Sequence, residues 1–78
     1  MKSNINYKEK ICISPDVMPG KPVIRGTRIT VEFILKKMSE GKEIDDIISE
    51  YPPVQKDDIM ACLAYSADVI SKDEILVS

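Results

Sequence analysis

Lys21, Arg25, Arg28, Lys36 and Lys37 stand between Gly20 and Lys37 with Glu32 as the only acid among them. A guanidinium offers a planar fork of donors that matches a carboxylate or a phosphate, and an ammonium offers a point charge. The window therefore carries +4, whereas Met38–Ser78 sets three lysines against ten acids and carries −7. The whole chain carries −2. A basic middle and an acidic C-terminal half suit a nucleic-acid face, or two faces that meet across a dimer.

Three readings stay open for Lys21, Arg25 and Arg28. In the first they are architecture, with Arg28 pinning an extended segment to helical acids. In the second, an exposed arginine-bearing hairpin binds a partner protein. In the third, the cations touch DNA phosphates, with Lys36 and Lys37 helping. A bend at Gly26 separates the two arginines, so one is expected inward and one outward. The expectation is Arg28 inward and Arg25 outward, flanked by Lys21.

Other chemistry is missing. The chain has no histidine, the commonest general base and metal ligand. Asp45/Asp46 and Asp57/Asp58 fall at expected helix starts, where carboxylates serve the helix dipole. Gly20-Lys21 lacks the upstream glycine and the following Ser/Thr of a phosphate loop. Cys12 and Cys62 have no metal or redox spacing and read as small apolar thiols. No catalytic, cofactor or metal site is expected, and the chain is not expected to be an enzyme.

The elements that must position the cations follow from punctuation and period. Pro19-Gly20 reads as a turn, and Pro22 keeps Lys21 extended. Val23-Ile24 and Ile29 have strand chemistry on either side of Gly26-Thr27. Ile11–Ile13 reads as another short strand, pairing with Val23–Ile29 or with a second chain. Thr30 is an expected N-cap. Val31, Ile34, Leu35 and Met38 then form one helical stripe, and Gly41 closes it, giving a helix over about Val31–Glu40. Ile44, Ile47, Ile48 and Tyr51 predict a second helix over about Glu43–Glu50, stopped by Pro52-Pro53. Ile59, Cys62, Leu63, Ser66, Ala67 and Ile70 predict the longest helix, about Lys56–Ile70.

The fold class is therefore mainly α: a three-helix, helix-turn-helix domain with a short N-terminal β segment. With 78 residues, a single domain is the limit. Residues 1–10 are expected to be flexible, 11–71 to form the domain, and 72–78 to be a tail in which Ile75-Leu76-Val77 is strand or disordered. Small size and open strand edges favour a homodimer. The N-terminus has no apolar core of a signal peptide and no run suits a membrane span, so the cytoplasm is expected. The start of the third helix, where a helix-turn-helix reads bases, holds Lys56, Asp57, Asp58 and Met60. Two acids there oppose phosphate contact.

Gly20-Lys21-Pro22, Ile24, Gly26-Thr27-Arg28-Ile29 and Val31 match the signature Gly-Lys-Pro-hydrophobic-Ile-x-Gly-Thr-Arg-Ile-x-Val. This resembles the prokaryotic domain-of-unknown-function 433 family. The likeness continues through Gly41, Ile47–Pro52, Asp57-Asp58-Ile59 and Ala64-Tyr65, and covers roughly Ile11 to Ile70. The resemblance implies a homeodomain-like fold and an antitoxin role beside a PIN-like ribonuclease toxin, with regulation of its own operon. A stand-alone DNA-binding regulator is the alternative, and a structural subunit of a larger complex a third. Gly20, Pro22, Gly26 and Thr27 would be the structural part of the motif. Gln55 stands where the family has Ser or Thr, which implies a weaker cap on the third helix.

Overall fold

The computed structural model describes residues 7–16 and 19–72, and among these the chain forms a short two-stranded sheet and three helices. Strand β1 (Ile11–Ile13) pairs antiparallel with β2 (Pro22–Ile24), with Ile11 opposite Ile24 and Cys12 opposite Val23. Pro22 sits at the first position of its strand, where a missing N–H costs no ladder bond. Alternation along the strands puts Ile11 and Ile24 on the face toward the core, and both are buried. The Arg25 N–H donates to the Lys10 carbonyl at 2.7 Å. By antiparallel alternation, the backbone groups of Ile11 and Ile13 then face away from β2, and among the described residues no third strand covers that edge.

Helix α1 (Val31–Ser39) starts where expected. The Thr30 hydroxyl accepts from the Phe33 N–H at 2.9 Å. It ends in a Schellman motif: Gly41, at φ +97°, donates to Met38 O, and Lys42 donates to Lys37 O. Helix α2 (Ile44–Glu50) has Glu43 as its N-cap residue, and the Glu43 N–H donates to Asp46 Oδ2 at 3.2 Å. Helix α3 (Lys56–Lys72) is the longest, at 17 residues.

The buried core joins Ile11 and Ile24 of the sheet to Val31, Ile34, Ile47, Val54, Ile59, Ala61 and Cys62. It is aliphatic, with an edge-on Phe33–Tyr51 pair at its border, ring centroids 5.2 Å apart. Burial in this core, with the Asp58 charge beside it, pushes the Cys62 thiol up to about 12.

Four expectations change. The strand foreseen at Ile29 is an isolated bridge, Val23 to Thr30, because side-chain bonds of Thr27 close the loop where a ladder would run. The apolar stripe of α3 does not stay inside: Ile70 is 68% exposed and Ala67 is exposed, while Ala61 is buried. The cause is the open surface at this end of the helix: Val69 and Ile70 border a groove with Pro22, Val31 and Leu35 instead of packing beneath another element. Residues 7–10 are ordered rather than flexible. Tyr7–Glu9 is a 3-10 turn, and Tyr7 packs edge-on against Tyr65 at 5.5 Å. Helix α3 also runs on through Lys72, two residues beyond the expected end at Ile70 and into the expected tail. The Ile75–Val77 expectation lies outside the described residues.

Candidate functional site

The segment between β2 and α1 is a loop stitched by its own hydrogen bonds. The Thr27 N–H donates to Ile24 O at 2.9 Å, closing a turn whose third residue is Gly26 at φ +85°. That is the left-handed position for which glycine is suited. The Thr27 hydroxyl then works twice: it donates to Ile24 O at 2.8 Å and accepts from the Ile29 N–H at 2.9 Å. The Ile24 N–H donates in turn to Ile29 O at 2.9 Å. These bonds and the Val23–Thr30 bridge fix the backbone on both sides of Arg28.

Arg28 is exposed, and among the described residues its guanidinium has neither an ion pair nor a hydrogen bond. Arg25 is the arginine tied to the fold. Its Nε donates to Glu9 O at 3.1 Å and its Nη2 to Lys8 O at 3.2 Å. The inward assignment of Arg28 is therefore corrected. The chain reverses at Gly26, so strand parity does not carry across it. Arg25 continues the β ladder opposite Lys10, which brings it onto the carbonyls of the 3-10 turn.

The other candidate cations are engaged. Lys21 Nζ lies 2.8 Å from Glu32 Oε1, and this bond and charge hold the Glu32 carboxyl below its usual range. Lys36 and Lys37 lie 3.5 and 4.0 Å from Glu40, and Lys37 also sits over the Phe33 ring. They occupy the last turn of α1 while Arg28 precedes the first, roughly 12 Å away along the helix axis. The fold does not gather the five cations into one patch.

Beside Arg28 the surface opens into a groove of about 580 Å³. Cys12, Val23 and Ile29 line it from the sheet and loop, Pro53 from the α2–α3 connection, and Ser14 and Thr27 add hydroxyls. Ile13, adjacent on β1, is 57% exposed. Cys12 and Pro53 carried no signal for this role, because only the folded chain brings them together.

The start of α3 also differs from its linear reading. Asp58 is buried and turned back on the chain: its Oδ2 accepts from the Gln55 N–H at 2.9 Å, and Lys10 Nζ lies 4.0 Å from its Oδ1. The capping function that the Gln55 side chain lacks is thus supplied in part by Asp58. Of the two acids expected to face a phosphate, Asp57 alone is exposed. Among the described residues no group of His, Cys, Asp and Glu could hold a metal ion, and no helix is long and apolar enough to cross a membrane.

Comparison with known proteins bears on the family and the fold. The family described as "Protein of unknown function (DUF433)" matches residues 11–66. The "uncharacterized protein y4eO" of Sinorhizobium fredii is 27% identical over 59 residues, which is 76% of this chain but 27% of that protein. The crystal structure of a DUF433 member protein from Anabaena variabilis superposes with a TM-score of 0.71 at 29% identity. That match covers 76% of this chain and 58% of the other. The chain thus spans about a quarter of the one relative and somewhat over half of the other.

Proposed function

The chain belongs to the DUF433 family, and from that premise we propose that it is an antitoxin-like protein that binds and neutralises a PIN-like ribonuclease toxin in the cytoplasm. The observation that carries the reading is the loop around Arg28. A backbone fixed by the Thr27 bonds presents an arginine with no partner among the described residues, at the rim of a groove lined by apolar side chains. An exposed arginine on a fixed backbone beside apolar surface is the composition of a protein-binding hot spot. The role asks for no chemistry from the chain itself. The test is co-expression with the product of the neighbouring gene. Co-purification, and loss of that product's ribonuclease activity in the complex, are the expected results. Free ribonuclease activity in the presence of excess chain would overturn the reading.

A second reading has its own support. Withdrawal of Asp58 into its cap leaves the first turn of α3 less acidic at the surface than the sequence implies. Helices α2 and α3, joined through residues 51–55, are the pair that a helix-turn-helix would use. On this reading the chain regulates its own operon, or acts as a stand-alone DNA-binding regulator. A mobility shift on upstream DNA that weakens steeply with salt is the expected result.

A further inference from the structure

We propose that the Arg28 groove recognises a segment of a partner protein in which an aspartate or glutamate stands beside an apolar side chain.

The groove supplies both halves of that recognition. Its lining is mostly apolar, with Cys12, Val23, Ile29 and Pro53, and takes a side chain out of water. Its rim carries Arg28, whose guanidinium pairs with a carboxylate through two parallel N–H···O bonds. The loop bonds hold the Arg28 backbone before any partner arrives, so binding has only the side chain left to order there. The fit to a carboxylate is a matter of charge: a cation without a partner among the described residues borders a surface that carries no acid. A nucleic-acid backbone is the poorer match, since phosphate tracking uses several cations in a row. Here Lys21, Lys36 and Lys37 already lie against Glu32 and Glu40, and the last two sit at the far end of α1.

The inference rests on the toxin-binding reading only in taking the groove as the contact; the chemistry of recognition stands on the groove. The experiment is accordingly done without the toxin. The full chain, labelled with ¹⁵N, is titrated with the peptide acetyl-Gly-Leu-Asp-Leu-Gly-amide and with its Asn counterpart. The Asp peptide is expected to shift the resonances of Cys12, Thr27 and the Arg28 side chain, and to bind about tenfold more tightly than the Asn peptide. Arg28→Ala should lose about tenfold, and Arg28→Lys, which keeps the charge but not the fork, should fall between. Cys12 gives an independent readout. Alkylation should slow at Cys12 when the Asp peptide is bound, while the buried Cys62 stays unreacted throughout. Arg28→Ala should keep the melting temperature of the parent, which separates lost binding from lost structure.

Equal binding of the two peptides, unchanged binding by a folded Arg28→Ala, or no shift at about 10 mM peptide would overturn the proposal. Displacement of the peptide by short duplex DNA, with the same resonances shifted, would overturn it in favour of phosphate. Toxin capture by the parent chain and equally by Arg28→Glu would sink the groove chemistry and leave the antitoxin reading standing. Asp-selective peptide binding with no toxin capture would do the reverse.

Discussion

The Tyr7 hydroxyl donates to Oδ2 of Asp68, joining residues 61 apart in the chain. With the Tyr7–Tyr65 ring contact, it fastens the N-terminal turn to the C-terminal half of α3. Lys72 Nζ lies 3.2 Å from the same carboxylate oxygen.

This arrangement sets a pH dependence. The bonds from Tyr7 and then Lys72 hold the Asp68 carboxyl below its usual range. A depressed carboxyl stabilises the fold above its unfolded pKa, and that contribution fades as pH falls through the folded value. Tyr7→Phe should therefore lower the urea midpoint at neutral pH and narrow its gap to the parent in acid. The bond to Asp68 raises the Tyr7 phenol, so its contribution is present below the ordinary tyrosine range and lost as pH rises through the raised value. A midpoint difference that stays constant from neutral to acid pH would contradict the role of this pair.

Gly26 predicts a purely conformational cost. An added Cβ would meet nothing within 4 Å, but φ is +85°. Gly26→Val should cost about 1–2 kcal/mol through backbone strain, and Gly26→Asn less, because asparagine tolerates the left-handed region. Denaturant midpoints decide it. Equal midpoints for Val and Gly would mean the loop relaxes out of this conformation.

The two arginines should separate stability from binding, with Arg25 the structural member. Arg25→Ala loses two bonds to carbonyls and should cost about 1 kcal/mol, while Arg28→Ala should stay within about 0.5 kcal/mol of the parent. Thermal melts of the two variants check this directly. An unstable Arg28→Ala beside a neutral Arg25→Ala would contradict the contacts described above.

The open edge of β1 predicts a homodimer. Pairing of Ile11–Ile13 across a two-fold axis would satisfy the outward backbone groups and shield Ile13. Light scattering after size exclusion should give twice the 8.8 kDa chain mass. Ile13→Pro, which removes a donor from that edge, should shift the population to monomer. A parent chain that runs as a monomer at about 50 μM would rule the dimer out.

Helices were legible because their signals are local. Thr30 caps as its side chain dictates, Gly41 ends α1, and the 3.6-residue period places Ile34, Ile47 and Ile59 inside. The Gly26 bend was legible for the same reason. The facing of Arg25 and Arg28 was not, since it depends on which residue lies opposite β1 and on a reversal that breaks strand parity. Tyr7 was missed because its partners, Tyr65 and Asp68, are distant in sequence. Of the site, the motif residues Gly26, Thr27 and Arg28 could be named in advance, but the groove wall at Cys12 and Pro53 could not.

Asp58 sits between the Gln55 N–H and the Lys10 ammonium. One carboxylate therefore touches both the entry to the last helix and the residue leading into the first strand. The Gln55 amide, on an otherwise exposed residue, becomes a reporter of that junction. Its hydrogen exchange should be slow while Lys10 lies against Asp58. It should quicken in Lys10→Ala before the amides at the centre of α3 do, so that a single proton's lifetime follows the docking of a strand more than forty residues away.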